Sequence, residues 1–209
     1  MPLPIDYFVR IAGFSDLQPG PAKTPPFGSL DHPLAQALLP RTMRLNCPTT
    51  AYADLWGRGL RRGLAHRWLV CDWPSFPPLE DVGPTWNSGT PLRAERARRS
   101  ALVEIDALLA VLLGMDVEAL IAMYQAAFPV LNRYVDITWF DANGWKFAGY
   151  HRTFGQIQKK GDYDEMLDYL ESGDTTKVPG GYTPPFYKAD RIAEYRQAHA
   201  AFTARLARS

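Results

Sequence analysis

The chain has 209 residues, of which 46% are hydrophobic and 12% aromatic, which excludes an intrinsically disordered protein and allows a substantial core. Its 23 basic and 22 acidic side chains nearly balance, so only local patches can decide for or against a polyanionic partner. Cys47 and Cys71 lie far apart without a CxxC pair or a nearby pair of histidines, so the sequence indicates neither a disulfide framework nor a zinc knuckle. No signal peptide or long apolar run is present, so a cytoplasmic protein without a membrane partner is expected.

The first unit, residues 1–70, is predicted to contain one strand and one helix. Alternating apolar residues over 5–14 favour a short strand, and a Pro-Gly-rich loop follows at 18–28. Apolar residues at helical spacing predict a helix over 50–64. Four arginines crowd the end of that helix: Arg58, Arg61, Arg62 and Arg67.

Residues 71–91 are rich in proline and read as a linker tethered by aromatic side chains. A helix is then predicted over 92–113, with Gly114 ending it and Asp116 capping a second helix, so that the two form a hairpin. The first turns of the 92–113 helix carry another four arginines: Arg93, Arg96, Arg98 and Arg99.

The spacing of the apolar residues is no longer helical after Pro129. Aromatic and β-branched segments at 134–140 and 145–150 flank Asn143-Gly144, which predicts a β-hairpin. Asp162, followed three residues later by Glu165, resembles a capping box and predicts a short helix to about Glu171, with Tyr163, Met166, Leu167 and Leu170 buried. A last helix is expected over 188–208. The fold class is therefore α+β and helix-rich, with residues 92–209 either a separate unit or part of one continuous domain.

The sequence lacks the motifs of several enzyme classes. It contains no Gly-rich strand-to-helix turn for a nucleotide-type cofactor, no P-loop, no GxSxG elbow and no HExxH helix. We therefore expect no complete active site, no metal and no cofactor within this chain.

Two short segments, Thr24-Pro-Pro-Phe27 and Thr183-Pro-Pro-Phe186, resemble the catalytic (Asn/Asp/Ser)-Pro-Pro-(Tyr/Phe) motif of amino-methyltransferases. In that motif, a polar side chain and a carbonyl accept hydrogen bonds from the target amine, and the aromatic ring stacks on the flipped base. Both segments here begin with threonine and neither follows a cofactor turn. We interpret them as turns that prolines make rigid and phenylalanine anchors.

Two acid–base pairs can be drawn from the sequence: His151 with Asp141, and His66 with Asp72. No serine or cysteine nucleophile accompanies either pair in a recognisable turn, so a structural role is the stronger interpretation. His199 falls on the apolar stripe of the last helix and is expected to be structural.

The two arginine groups are the positive functional feature of the sequence. Such groups can follow the phosphates of nucleic acid. They can equally be a solvated helix face that pairs with nearby acids such as Asp54, Glu80, Asp81 and Glu95. The sequence leaves both interpretations open.

Four segments, in this order, resemble the C-terminal portion of large adenine-specific DNA methyltransferases of restriction–modification (type IIG-like) and phage-defence systems. They are residues 45–56, 92–114, 124–131 and 181–187, the last leading into a charged helix. In that family, the cofactor turn and the catalytic motif lie upstream, in a domain that this sequence does not contain. The resemblance implies a segment that follows or completes target recognition, with S-adenosylmethionine bound only by a catalytic partner.

Three hypotheses follow. The first is a recognition or scaffold segment whose arginines contact double-stranded DNA. The second is a module that docks on a separate catalytic methyltransferase subunit without touching DNA, using aromatic residues such as Trp73, Trp86 and Trp139. The third is a small enzyme built around His151 or Cys71 and Asp72, which requires a pocket of converging polar groups.

Overall fold

The structure of the chain is a computed structural model that describes residues 2–13, 32–61, 82–148 and 158–208, without the side chains of residues 60 and 61. These residues form eight α-helices, two short 3-10 helices (Thr50–Tyr52 and Thr175–Lys177) and a small antiparallel sheet, so the predicted helix-rich α+β class is confirmed. The helices are α1 (Leu3–Ile11), α2 (Ala35–Asn46), α3 (Ala53–Arg61), α4 (Glu95–Leu112), α5 (Val117–Ala127), α6 (Pro129–Asp136), α7 (Asp162–Ser172) and α8 (Arg191–Leu206). The strands are β1 (Thr138–Phe140), β2 (Lys146–Ala148) and β3 (Tyr187–Lys188).

Helix α4 is the centre of the molecule, with α1, α2, α5 and α8 packed around it. Its leucine-rich sequence suits this position because α4 is apolar on several sides and buries side chains against each neighbour. The predicted hairpin of α4 and α5 is confirmed. Gly114 adopts a φ of 68°, and the carboxylate of Asp116 accepts a 2.7 Å hydrogen bond from the amide of Ala119. The shared core is Leu3, Leu34, Ala37, Val103, Ala107, Leu108, Ala110, Leu120, Ile121, Tyr124, Tyr195, Ala198 and Phe202.

The predicted strand over 5–14 is wrong, because residues 3–11 form the helix α1. Pro4 lies in the first turn, where its missing N–H and fixed φ suit a helix. Asp6 and Arg10 form an ion pair at the i,i+4 spacing of a helix. The amide of Leu3 also donates a 2.7 Å hydrogen bond to Asp106 of α4, which fixes the start of α1 on the core.

The predicted β-hairpin is confirmed between β1 and β2, with Trp139 opposite Phe147, but it is shorter than expected. Residues 134–136 belong to α6, which begins at Pro129. The turn places Gly144, rather than Asn143, at positive φ (80°). A side chain at Gly144 would meet the start of α4, because a Cβ there would lie 3.1 Å from that of Ala94.

The sheet has the order β2-β1-β3, and its third strand was not predicted. Helix α7 covers one face of the sheet through a cluster of Phe147, Met166, Tyr182 and Phe186. Helix α8 runs from the end of β3 back along α4, with Asp190 as its N-cap accepting from the amide of Ala193. The sheet thus joins α7 to the helical core.

The capping box predicted at Asp162 is wrong, since Gly161 is the N-cap of α7 and the Asp162 carboxylate accepts from the amide of Lys159. Leu167 and Leu170, which were expected to be buried, are 40% and 39% exposed. No described helix combines the length and apolar character that crossing a membrane requires.

Candidate nucleic-acid interface

The four arginines at and just before the start of α4 divide into two pairs by the direction of their side chains. Arg96 and Arg99 turn inward. The guanidinium of Arg96 lies 3.7 Å from the centre of the Tyr187 ring, and Arg99 donates a hydrogen bond to the carboxylate of Glu194 on α8. Burial lowers the pKa of both arginines, and Glu194 offsets this only in part for Arg99. Phosphate contact by either side chain would require these internal contacts to break.

Arg99 belongs to a wider layer of buried charges between α4 and its neighbours. The Asp106 carboxylate accepts from the hydroxyl of Tyr195 at 2.8 Å and lies 3.4 Å from Arg191. Glu104 accepts a 2.5 Å hydrogen bond from Arg41 of α2. Burial raises the pKa of all three carboxyl groups, Glu104, Asp106 and Glu194, and that of the Tyr195 hydroxyl. We call these residues the buried charge layer: Arg41, Arg99, Glu104, Asp106, Arg191, Glu194 and Tyr195.

Arg93 and Arg98 turn outward and are exposed. Arg93 donates to the carbonyl oxygens of Ser88 and Pro48 at 3.3 and 3.2 Å. Arg98 donates to those of Leu92 and Leu45 at 3.0 and 3.4 Å. Carbonyl oxygens orient a guanidinium without cancelling its charge, and within the described ranges neither arginine forms an ion pair.

A third arginine, which the sequence analysis did not single out, joins this pair. Arg44 in the last turn of α2 donates to the carbonyl oxygens of Thr90 and Gly89 at 2.7 and 3.3 Å. The amide of Leu92 donates back to the carbonyl of Arg44 at 3.0 Å. We call Arg44, Arg93 and Arg98 the arginine surface.

The loop that these arginines hold is itself braced. The amide of Asn87 donates to the hydroxyl of Thr90, and the Asn87 side-chain oxygen accepts from the amide of Gly89, both at 2.9 Å. The indole of Trp86 donates to the carbonyl of Cys47 at 3.0 Å. Residues 87–89 are therefore exposed on a loop whose two ends are fixed to α2.

The first arginine group is only partly described. Arg58 is exposed on α3, and its guanidinium lies 2.8 Å from the carboxylate of Asp54, as the solvated-face interpretation expects. Arg61 ends α3, but its side chain lies outside the described residues, as do Arg62 and Arg67.

The aromatic residues considered for docking are mostly engaged inside the protein. Trp86 is half-buried in a cluster with Met43, Cys47 and Trp56. Trp139 is also half-buried, with the Lys188 ammonium 6.0 Å from its ring centre. Trp73 lies outside the described residues.

The candidate catalytic residues do not come together among the described residues. Asp141 is fully buried, and its carboxylate accepts from the amides of Asn143, Trp145 and Thr183 at 3.0, 2.8 and 3.1 Å, which is a structural role. His199 donates to the carbonyl of Met115 at 2.9 Å, a contact that suits the structural role expected of it. The other residues of the proposed acid–base pairs and of the cysteine site lie outside the description: His66, Cys71, Asp72 and His151.

The second Thr-Pro-Pro-Phe segment is built into the sheet end. The carbonyl of Thr183 accepts from the amide of Ala142 at 2.8 Å, and its hydroxyl accepts from the side chain of Asn143 at 3.1 Å. Phe186 is buried, with its ring centre 5.7 Å from that of Tyr169. This ring is packed inside the protein and not presented to a base. Residues 24–27 lie outside the described ranges.

A cavity of about 280 Å³ lies between α6 and the start of α8. Lys188 and Asp136 line it, together with Arg191, which the buried charge layer already holds. Its lining has no histidine, serine or cysteine. Within the described part of the chain, no three potential metal ligands cluster. These features give no described pair of nucleophile and base.

No family model, curated protein or solved structure matches this chain.

Proposed function

We propose that this chain is a non-catalytic DNA-binding segment that supports an adenine-specific DNA methyltransferase of a restriction–modification or phage-defence system. It contacts the backbone of double-stranded DNA, while a catalytic domain or subunit binds S-adenosylmethionine and transfers the methyl group. Its place of action on this proposal is the cytoplasm, where that DNA is found.

The observation that carries DNA binding is the arginine surface. Arg44, Arg93 and Arg98 are oriented by carbonyl oxygens around one braced loop, and no described carboxylate pairs with Arg93 or Arg98 there. Guanidinium groups held in this way lose little conformational entropy when a phosphate oxygen binds. The arrangement suits backbone contacts, which position a protein on duplex DNA without reading its sequence.

The link to methyltransferases comes from the order of the four segments that resemble the end of those enzymes. Two of these segments meet at the arginine surface: residues 92–114 contribute Arg93 and Arg98, and residues 45–56 contribute two of the carbonyl oxygens that accept from them. A region that completes target recognition in such an enzyme needs this kind of phosphate contact. The catalytic step stays with the partner, in keeping with the internal position of Phe186.

A double variant, Arg93→Ala with Arg98→Ala, tests DNA binding. We expect its affinity for a short duplex near physiological salt to fall by at least about tenfold, since each lost charge-assisted contact removes roughly 1 kcal/mol. Its free energy of unfolding should change by less than about 1 kcal/mol, because both side chains are exposed. Fluorescence anisotropy with labelled duplex and urea unfolding give the two values.

Arg196→Ala is the matched control. Arg196 is an exposed arginine on α8, but it already lies 3.1 Å from the carboxylate of Glu118. Its replacement should leave DNA affinity within about twofold. Equal losses in the control and the double variant would assign binding to net charge and overturn the proposed surface.

A second candidate is a docking module without DNA contact, which the exposed Leu167, Leu170 and Trp145 favour. An intact, folded chain with no measurable affinity for duplex DNA at low salt would select it over the first candidate.

A further inference from the structure

Helix α7 carries an exposed row of apolar side chains beside its buried one. Met166 is fully buried against the sheet. Leu167 and Leu170, which are three positions apart and so neighbours on the helix, are 40% and 39% exposed. Tyr163, four positions before Leu167, extends the same row and is half-buried. The row is a short apolar ridge that the described residues cover only in part.

Carboxylates border this ridge on its outer side. Asp164, Asp168 and Glu171 follow one another at spacings of four and three, so they form a line next to the leucines. Helix α7 has no basic residue along its length. Lys177 lies 3.7 Å from Asp168, but both side chains are about half exposed, so this pair is weak.

The stability of α7 accounts for Asp164 in this line of charges but not for Glu171. Acidic side chains favour the N-terminal end of a helix, where Asp164 lies, and are unfavourable near the C-terminal end. Glu171 is in the last turn, next to the exposed Leu167 and Leu170. Its position fits a role outside the helix.

We propose that the leucine ridge of α7 and its acidic border form a docking surface for a basic amphipathic helix of the catalytic partner. Apolar residues of that helix cover Leu167 and Leu170, and its lysines or arginines meet Asp164, Asp168 and Glu171. The identity of the partner rests on the proposed function, whereas the chemistry of the surface does not. Duplex DNA is repelled by these carboxylates, so the surface is distinct from the arginine surface.

The test uses the full chain and a labelled synthetic peptide of leucine and lysine whose sequence makes an amphipathic helix. A second peptide of identical composition has its leucines spread over all sides. We expect the amphipathic peptide to bind at least about tenfold more tightly in fluorescence anisotropy near physiological salt. Equal binding of both peptides would reduce the interaction to charge alone and overturn the proposal.

Variants locate the contact. Leu167→Ser with Leu170→Ser should weaken the amphipathic peptide by at least about tenfold, and Asp164→Asn with Asp168→Asn and Glu171→Gln should weaken it by a similar factor. Val130→Ser is the matched control, because Val130 is 64% exposed on a different helix. An unchanged affinity in the leucine variant, with unfolding midpoint intact, would contradict the proposal.

The same variants separate this inference from DNA binding. The leucine variant should bind duplex DNA as the wild type does, and the Arg93→Ala, Arg98→Ala variant should bind the peptide as the wild type does. If the wild type binds only one of the two ligands, duplex DNA or the amphipathic peptide, the proposal that concerns the other ligand fails.

Discussion

Arginines from one short stretch of sequence enter two regions with opposite chemistry, the buried charge layer and the arginine surface. In the buried layer, Arg99 faces a carboxylate and is shielded from water. On the surface, Arg93 and Arg98 face backbone carbonyls and solvent. A carboxylate neutralises the guanidinium, whereas a carbonyl only orients it. The difference shows that the partner of an arginine, and not its position in a basic cluster, decides whether its charge is available.

The two regions should respond differently to substitution. Removing one partner of a buried pair leaves an uncompensated charge away from water, which destabilises the fold by about 3–5 kcal/mol. Removing an exposed arginine that is bound to carbonyls breaks no ion pair, so we expect the fold to be affected much less. Stability and DNA affinity are therefore expected to be separable.

The largest effect is expected for Asp106→Ala. Its carboxylate is the acceptor for Tyr195 and the amide of Leu3, and it faces Arg191. The free energy of unfolding should fall by about 3–5 kcal/mol in urea titrations. Glu118→Ala, which breaks the exposed pair with Arg196, should cost less than about 1 kcal/mol. Similar costs for the two variants would show that the buried charge layer contributes no more than a surface pair.

A smaller effect is expected of Glu104 on how the free energy of unfolding depends on pH. Burial raises its folded-state pKa above the unfolded value of about 4.3, so the folded state binds the proton more tightly. Stability from this group is present at low pH and is lost as the pH rises from about 4 through the folded pKa. Glu104→Gln should therefore lose less stability than the wild type between about pH 4 and pH 7. The free energy of unfolding of Glu118→Gln should depend on pH as that of the wild type does. If Glu104→Gln also ran parallel to the wild type, the upward direction of the Glu104 pKa would be contradicted.

The smallest effect is expected for Arg58→Ala. This arginine is exposed like Arg93 and Arg98, but Asp54 neutralises it at 2.8 Å. We expect a change of less than about 1 kcal/mol in unfolding and less than about threefold in DNA affinity. A loss of DNA affinity as large as that of the Arg93→Ala, Arg98→Ala variant would show that a neutralising carboxylate does not decide whether an arginine can bind DNA.

Local patterns predicted the features that depend on neighbouring residues. Gly114 and Asp116 act within one turn of α5, so the helical hairpin was predictable from sequence. Helix α1 was not, because the alternating apolar residues suited a strand and Leu3 contacts Asp106, which is 103 positions away. Exposure of Leu167 and Leu170 likewise depends on what packs against α7.

The candidate site was likewise predictable only where it depends on neighbouring residues. The arginine groups were visible as composition, but their inward and outward directions depend on Tyr187, Glu194 and the carbonyl of Pro48, which are distant in sequence. Arg44 lies outside the two arginine groups and joins the surface through carbonyls that the loop supplies. An arginine in the last turn of a helix indicates only an interaction with the end of that helix.

The salt dependence of duplex binding tests the central claim most directly. Each phosphate neutralised by an arginine contributes about 0.9 to the slope of log affinity against log salt concentration. The slope of the Arg93→Ala, Arg98→Ala variant should therefore be shallower than that of the wild type by about 2. Identical slopes for the two proteins would contradict phosphate contact by the arginine surface.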